Sequence, residues 1–111
     1  MKVTDYYKVP LEEVKEEAEG VKIRWLISDK DHAKNFAMRL FEVESRGYTP
    51  YHKHDWEHEI FILEGEGEVR IEEKIYHIKK DSVVFVEPGQ KHNFKNTGNT
   101  LLKFICVIPY K

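Results

Sequence analysis

The segment GYTPYHKHDWEHEIFILEG (Gly47–Gly65) places three of the chain's six histidines within seven residues. In an extended chain, successive side chains point to opposite faces. His52, His54 and His58 then share one face, while Glu57 and Glu59 point the other way unless a bulge shifts the register. Three imidazoles on one face suit a first-row transition metal, which takes neutral nitrogen ligands readily. Without an ion they would repel one another on protonation, or bury polar rings that need partners. A solvated strand face is the plainer reading of His52 and His54 alone. His58 in the same phase favours the metal.

Outward from this segment the chain reads as strands. Val21–Ser28, Phe36–Glu44, Tyr48–His54, Glu57–Leu63, Glu66–Glu72, Ile75–Ile78, Ser82–Glu87, Asn93–Asn96 and Leu101–Ile108 are rich in Val, Ile, Phe and Tyr. Turn residues separate them at the spacing of an all-β sandwich or barrel. Gly65 and Gly67 mark one turn, Glu72-Glu73-Lys74 a tight hairpin, Pro88-Gly89 another turn and Thr97-Gly98-Asn99 a fourth. Leu11–Glu19 stands apart. Leu11, Val14 and Ala18 lie at i, i+3 and i+7, Pro10 can open a helix and Gly20 can stop it, so one or two helical turns are predicted there.

Composition narrows the function classes. A chain of 111 residues is read as one domain, 1–111, with a single core. A net charge of −2 leaves no basic footprint for tracking phosphates, which argues against a nucleic-acid partner. No apolar run approaches the roughly 20 residues that span a bilayer. The start, Met1–Tyr7, lacks the apolar core of a signal peptide, so a cytoplasmic location is expected. Cys106 is the sole cysteine, which rules out an internal disulfide framework and fits a reducing compartment.

The histidine segment and the region after it together resemble the cupins. Their first motif, a glycine, a short spacer, HxH, a glutamate and a later glycine, is met by Gly47, His52-Lys53-His54 and Gly65. Their second, PxGxxHxxxN, is met by Pro88-Gly89-Gln90-Lys91-His92-Asn93-Phe94-Lys95-Asn96. The resemblance covers roughly residues 36 to 108 and looks most like the small single-domain manganese cupins of thermophiles, whose metal sits on four histidines. It departs from the family in turn details. The spacer before His52 is one residue short, Glu87 stands where the second motif's proline is usual, and Asp81 replaces a leading glycine. A further departure changes the chemistry. His58 occupies the slot usually held by glutamate, and Glu59 follows it. Strand parity prefers the all-histidine set over one in which Glu59 replaces His58.

The resemblance implies a jelly-roll barrel, the cupin double-stranded β-helix, with motif 1 at about 47–65 and motif 2 at about 81–96. Residues 1–20 would add a strand and a short helical turn. Small cupins are commonly homodimers with exchanged N-terminal strands, a role open to residues 1–9, with Val3, Tyr6, Tyr7 and Val9. The metal ligands implied are His52, His54, His58 and His92. Four neutral imidazoles leave the ion's charge uncompensated, which favours an anionic bidentate ligand such as an enolate, a catecholate, a 2-oxo acid or a dicarboxylate. On an octahedral ion two adjacent positions stay open. Mn²⁺ fits first, then Fe²⁺, Ni²⁺, Co²⁺, Cu²⁺ or Zn²⁺. A closed tetrahedral zinc site is the structural alternative.

Pocket candidates follow from the same parity. Phe94 is in phase with His92, and Ile60 and Ile62 with His58. Leu102, Phe104, Cys106 and Ile108 share a face that, by resemblance, looks into the barrel. Cys106 reads as a small buried hydrophobe before it reads as a reactive thiol. Arg39, in an otherwise apolar strand, either lies on the solvent face or points inward, where it would pair with an anionic substrate. Tyr51 and Trp56 have the wrong parity for the cavity and are assigned to packing or dimer contact. His32 and His77 read as surface residues. The function expected is that of a metal-dependent dioxygenase or related oxidoreductase acting on a small anionic organic molecule. A metal-dependent isomerase or hydrolytic enzyme, and a non-catalytic metal- or ligand-binding module, are the alternatives, because one fold hosts many chemistries.

Overall fold

The computed structural model describes residues 1–110. Nine strands run in chain order: β1 (Glu12–Val14), β2 (Glu19–Ile27), β3 (Phe36–Tyr48), β4 (His58–Glu64), β5 (Glu66–Ile71), β6 (Lys74–Lys79), β7 (Val83–Val86), β8 (His92–Asn96) and β9 (Leu102–Pro109). Two single 3₁₀ turns, Tyr6–Lys8 and Asp29–Asp31, complete the described elements. Among the described residues the strands pair antiparallel, in the order β6-β5-β8-β3-β9-β4-β7, with β2 also on β3 and β1 on β2. The sheet curls into a jelly-roll barrel.

The long β3 organises it. One edge carries β2, the other carries β9 and, at Tyr48, β8. Alternation then decides what faces inward. On β4 His58, Ile60 and Ile62 are buried while Glu59 and Phe61 are exposed. On β8 His92, Phe94 and Asn96 turn inward, and on β9 Leu102, Phe104 and Cys106 do so. Ile60, Ile62, Phe94, Leu102, Phe104 and Cys106 join Val21, Val43, Val69, Ile78 and Val86 in one core. Phe104 stacks between Phe94 and Phe41, with ring centres 4.5 and 5.1 Å away. Buried Asn96 spends both ends of its amide on backbone, donating to the carbonyls of Val43 and Thr100 and accepting from the Gly98 amide. No helix among the described residues is long and apolar enough to cross a membrane.

Two expectations are corrected. Leu11–Glu19 is not helical: Glu12–Val14 form β1, paired with Val21–Ile23 across a turn. Glu17 and Gly20, both at positive φ, bend the chain there. Val14 and Ala18 still pack on the core, so the apolar spacing reported burial but not the element. Tyr48–His54 is not a separate strand either. β3 runs on to Tyr48, and residues 49–57 form an irregular loop touching β8 through an isolated bridge between His52 and His92. The N-terminal stretch considered for strand exchange lies against its own chain. Arg24 donates to the carbonyls of Tyr6, Tyr7 and Val9, and Lys2 to that of Leu26.

Candidate metal centre

The loop 49–57 is fixed to β8 before any side chain is considered. Thr49 and Phe94 exchange hydrogen bonds, with the Phe94 amide donating to Thr49 Oγ1 at 2.8 Å and the Thr49 amide to the Phe94 carbonyl at 2.9 Å. The backbones of His52 and His92 exchange two more. The Gly89 amide donates to the His54 carbonyl at 2.6 Å. The Pro88-Gly89 turn of the second motif therefore holds the histidine loop of the first.

His58 opens β4 and His92 opens β8, and both are buried. Their ring centres stand 4.6 Å apart, those of His54 and His58 5.3 Å, and those of His54 and His92 6.2 Å. Imidazoles sharing one ion at about 2.1 Å, with angles from roughly 90° to tetrahedral, would have centres about 4.5 to 5.3 Å apart. Two of the three spacings match, and the third is wider. His58 Nε2 is buried without a hydrogen-bond partner, as expected of an atom whose partner is an ion. Among the described residues, however, no three His, Cys, Asp or Glu side chains are gathered as a ready ligand set. His52 accounts for part of this. It lines the cavity, but its Nε2 meets the carboxylate of Glu17 from the β1–β2 turn.

The electrostatics keep these rings available as neutral donors. Burial is the main cause in each case. It pulls the His58 pKa down to about 3, helped by the nearby His92, Arg39 and His54, and lowers His54 and His92 as well. The Nδ1 edges of the two strand-borne rings are engaged: His92 Nδ1 with the Gln90 carbonyl at 3.0 Å, His58 Nδ1 with Cys106 Sγ at 3.5 Å.

The rings open on a cavity of about 220 Å³ that Arg39, Phe94, Phe104 and Cys106 also line. The two orientations open to Arg39 resolve inward. Its Nη2 donates to Cys106 Sγ at 3.0 Å, and its guanidinium lies 5.0 Å from the Phe41 ring centre and 5.5 Å from that of Trp25. No carboxylate among the described residues pairs with it, and its Nε is buried without a partner. Cys106 is buried, and burial raises its thiol pKa against the pull of Arg39. No Asp or Glu lines the cavity.

Parity missed several residues of the site. Trp56, assigned to packing, lies face to face on His54, ring centres 4.6 Å apart and 10° from parallel, and is not among the cavity's lining residues. Glu17, Thr49, Val14, Ile23 and Phe41 reach the site from β1, β2, β3 and their flanks, with no local motif to announce them. Ile60 and Ile62 enter the core and are not among the cavity's lining residues. Glu59 points away, opposite Phe85 and Val107. His32 caps the second 3₁₀ turn, and His77 is exposed beside Glu66.

The Cupin domain family model matches residues 39–108. The chain is a cupin. It is 47% identical over 58 residues to the oxalate-binding protein of Thermotoga maritima, covering 51% of this cupin and 48% of the relative. It is 36% identical over 59 residues to an uncharacterised protein of Methanocaldococcus jannaschii, covering 52% and 47%. The cupin thus spans about half the length of the curated relatives it matches. Among solved structures it is similar to the polyketide cyclase RemF from Streptomyces resistomycificus, with 32% identity and a TM-score of 0.93, over 100% of this chain and 80% of that one. It is also similar to a predicted oxalate decarboxylase from Thermotoga maritima, with 30% identity and a TM-score of 0.88, over 99% and 100%.

Proposed function

We propose that this cupin holds one divalent transition metal, Mn²⁺ before Fe²⁺, Ni²⁺, Co²⁺, Cu²⁺ or Zn²⁺, on His54, His58 and His92, with His52 turning from Glu17 as fourth ligand. Its substrate is a small anionic chelator, an oxalate-like dicarboxylate, a 2-oxo acid or an enolate, and its chemistry is of the dioxygenase type. The observation that carries this reading is the orphaned Nε2 of His58, a residue that lines the same cavity as Arg39, whose guanidinium pairs with no carboxylate among the described residues. A bound metal would supply Lewis acidity and adjacent open positions for substrate and O₂.

This chain's own residues do the rest. Arg39 offers a charged donor to the far end of the anion. Phe94 and Phe104 keep the cavity apolar, so that pairing is weakly screened. A volume of about 220 Å³ lies below the roughly 300–1,000 Å³ of drug-sized sites, which selects small ligands. The relatives named for oxalate support the dicarboxylate end of this range. The relative named as oxalate-binding, with no Asp or Glu among the described lining residues and Glu17 held on His52, equally favours a second reading, ligand binding without turnover.

Metal content of protein purified without chelators, then oxygen uptake with oxalate, a 2-oxo acid and a catechol, tests the proposal. Metal together with uptake supports it. Metal and tight oxalate binding without uptake moves the conclusion to the binding module, and a closed, non-exchanging zinc ion overturns both. A homodimer belongs to the same proposal. Phe61, Val83 and Phe85 line an exposed apolar face of β4 and β7, and light scattering reads the mass directly.

A further inference from the structure

We propose that Cys106 sets the tautomer of His58, its Sγ accepting the Nδ1 hydrogen so that the Nε2 lone pair faces the cavity. The inference rests on the metal-binding reading above and names a positioning residue for it.

Three contacts carry it. Cys106 Sγ lies 3.5 Å from His58 Nδ1 and 3.0 Å from Arg39 Nη2. A guanidinium only donates, so the sulfur already serves as an acceptor toward Arg39. A neutral imidazole has one ring hydrogen to place. On Nδ1 it finds the sulfur; on Nε2 it finds nothing, because that atom is buried without a partner. A buried N–H with no acceptor is the costlier arrangement. His92 meets the same requirement differently, through Nδ1 and the Gln90 carbonyl. Both strand-borne rings thus turn the same edge inward, one held by an oxygen and the other by a sulfur.

The backbone puts the thiol where this role needs it. β9 lies between β3 and β4, with Cys106 directly opposite Arg39 on one side and Ile60 on the other. His58 is two residues from Ile60 on the same face of β4. A merely space-filling Cys106 would leave the tautomer of His58 indifferent to its replacement, and there the two roles part. Metal-ligating histidines ordinarily give their second N–H to an oxygen acceptor, and loss of that acceptor costs 10- to 100-fold in metal affinity.

The test uses the full chain and two readouts. Nitrogen chemical shifts of the His58 ring are recorded in metal-free protein by NMR, and Mn²⁺ affinity is measured by calorimetry. Wild type should show the Nδ1–H form. Cys106→Val, which fills the space without an acceptor, and Cys106→Ala should shift the ring toward Nε2–H and lower Mn²⁺ affinity about 10- to 100-fold. Cys106→Ser should restore most of both. An unchanged tautomer and affinity in Cys106→Val, or a serine variant no better than the valine one, overturns the proposal. If wild type binds none of Mn²⁺, Co²⁺ and Zn²⁺, the metal reading fails, while the ring shifts still decide the role of Cys106.

Discussion

The carboxylate of Glu17 takes the Nε2 edge of His52, joining the β1–β2 turn to the histidine loop across 35 positions of sequence. This histidine has its Nε2 engaged by a side chain, whereas the Nε2 of His58 is left without a partner.

The two histidines should therefore contribute unequally. His58→Ala is expected to weaken Mn²⁺ or Zn²⁺ binding by about an order of magnitude or more. His52→Ala should weaken it less, since the wild-type ring must first leave Glu17. Calorimetric titration of both variants measures the difference, and an equal or reversed loss refutes the ranking.

Glu59 tests the inward direction of His58. It is exposed on the outer face of β4, so Glu59→Gln should keep wild-type metal affinity. A large loss would mean the carboxylate reaches the ion.

Arg39 should govern the anion without governing the metal. Arg39→Met is expected to weaken oxalate binding to metal-loaded protein about 10- to 100-fold, the range for a hydrogen bond to a charged group. Arg39→Lys should recover only part, lacking the planar fork. Competition titrations with Mn²⁺ held saturating provide the readout.

Acid should destabilise the metal-free protein in a defined window. His54, His58 and His92 resist protonation in the fold, while in the unfolded chain they take protons near pH 6.5. Above pH 6.5 both states are neutral and nothing is gained or lost. Below it the unfolded chain binds protons that the fold refuses, so stability falls with pH, for His58 down to about pH 3. Thermal melts from pH 7.5 to 5 should show the decline, and His58→Gln should make it shallower.

Two glycines at similar φ separate strain from collision. A Cβ on Gly65, at φ +86°, would lie 2.5 Å from the Leu101 carbonyl oxygen, so Gly65→Ala should cost about 3 kcal/mol or more. Gly89, at φ +85°, faces open space, and Gly89→Ala should cost only the ~1–2 kcal/mol of the left-handed backbone. Denaturant midpoints compare the two.

Much of this architecture was legible because a barrel strand writes a period of two into the sequence. Ile60, Ile62, Phe94, Phe104 and Cys106 turn inward as their spacing implied. His58 also followed the rule, since it begins a true strand. His52 and His54 reached the cavity for a different reason. Their loop is fastened to β8 and to Gly89 by backbone hydrogen bonds that no side-chain pattern records. Leu11, Val14 and Ala18 misled because a short hairpin can pack residues four apart, Val14 and Ala18, on the core as well as a helix can, while Leu11 stays exposed. Glu17 and Arg39 depend on contacts between distant strands, and local pattern says nothing of those.

The stack of Trp56 on His54 gives the molecule an optical reporter. An indole lying flat against a candidate ligand ring shares its electronic surroundings, and the chain has only one other tryptophan, Trp25. A paramagnetic ion entering among the histidines would quench Trp56 emission at close range, so the arrival and departure of metal can be followed in unlabelled protein, in real time, by its own fluorescence.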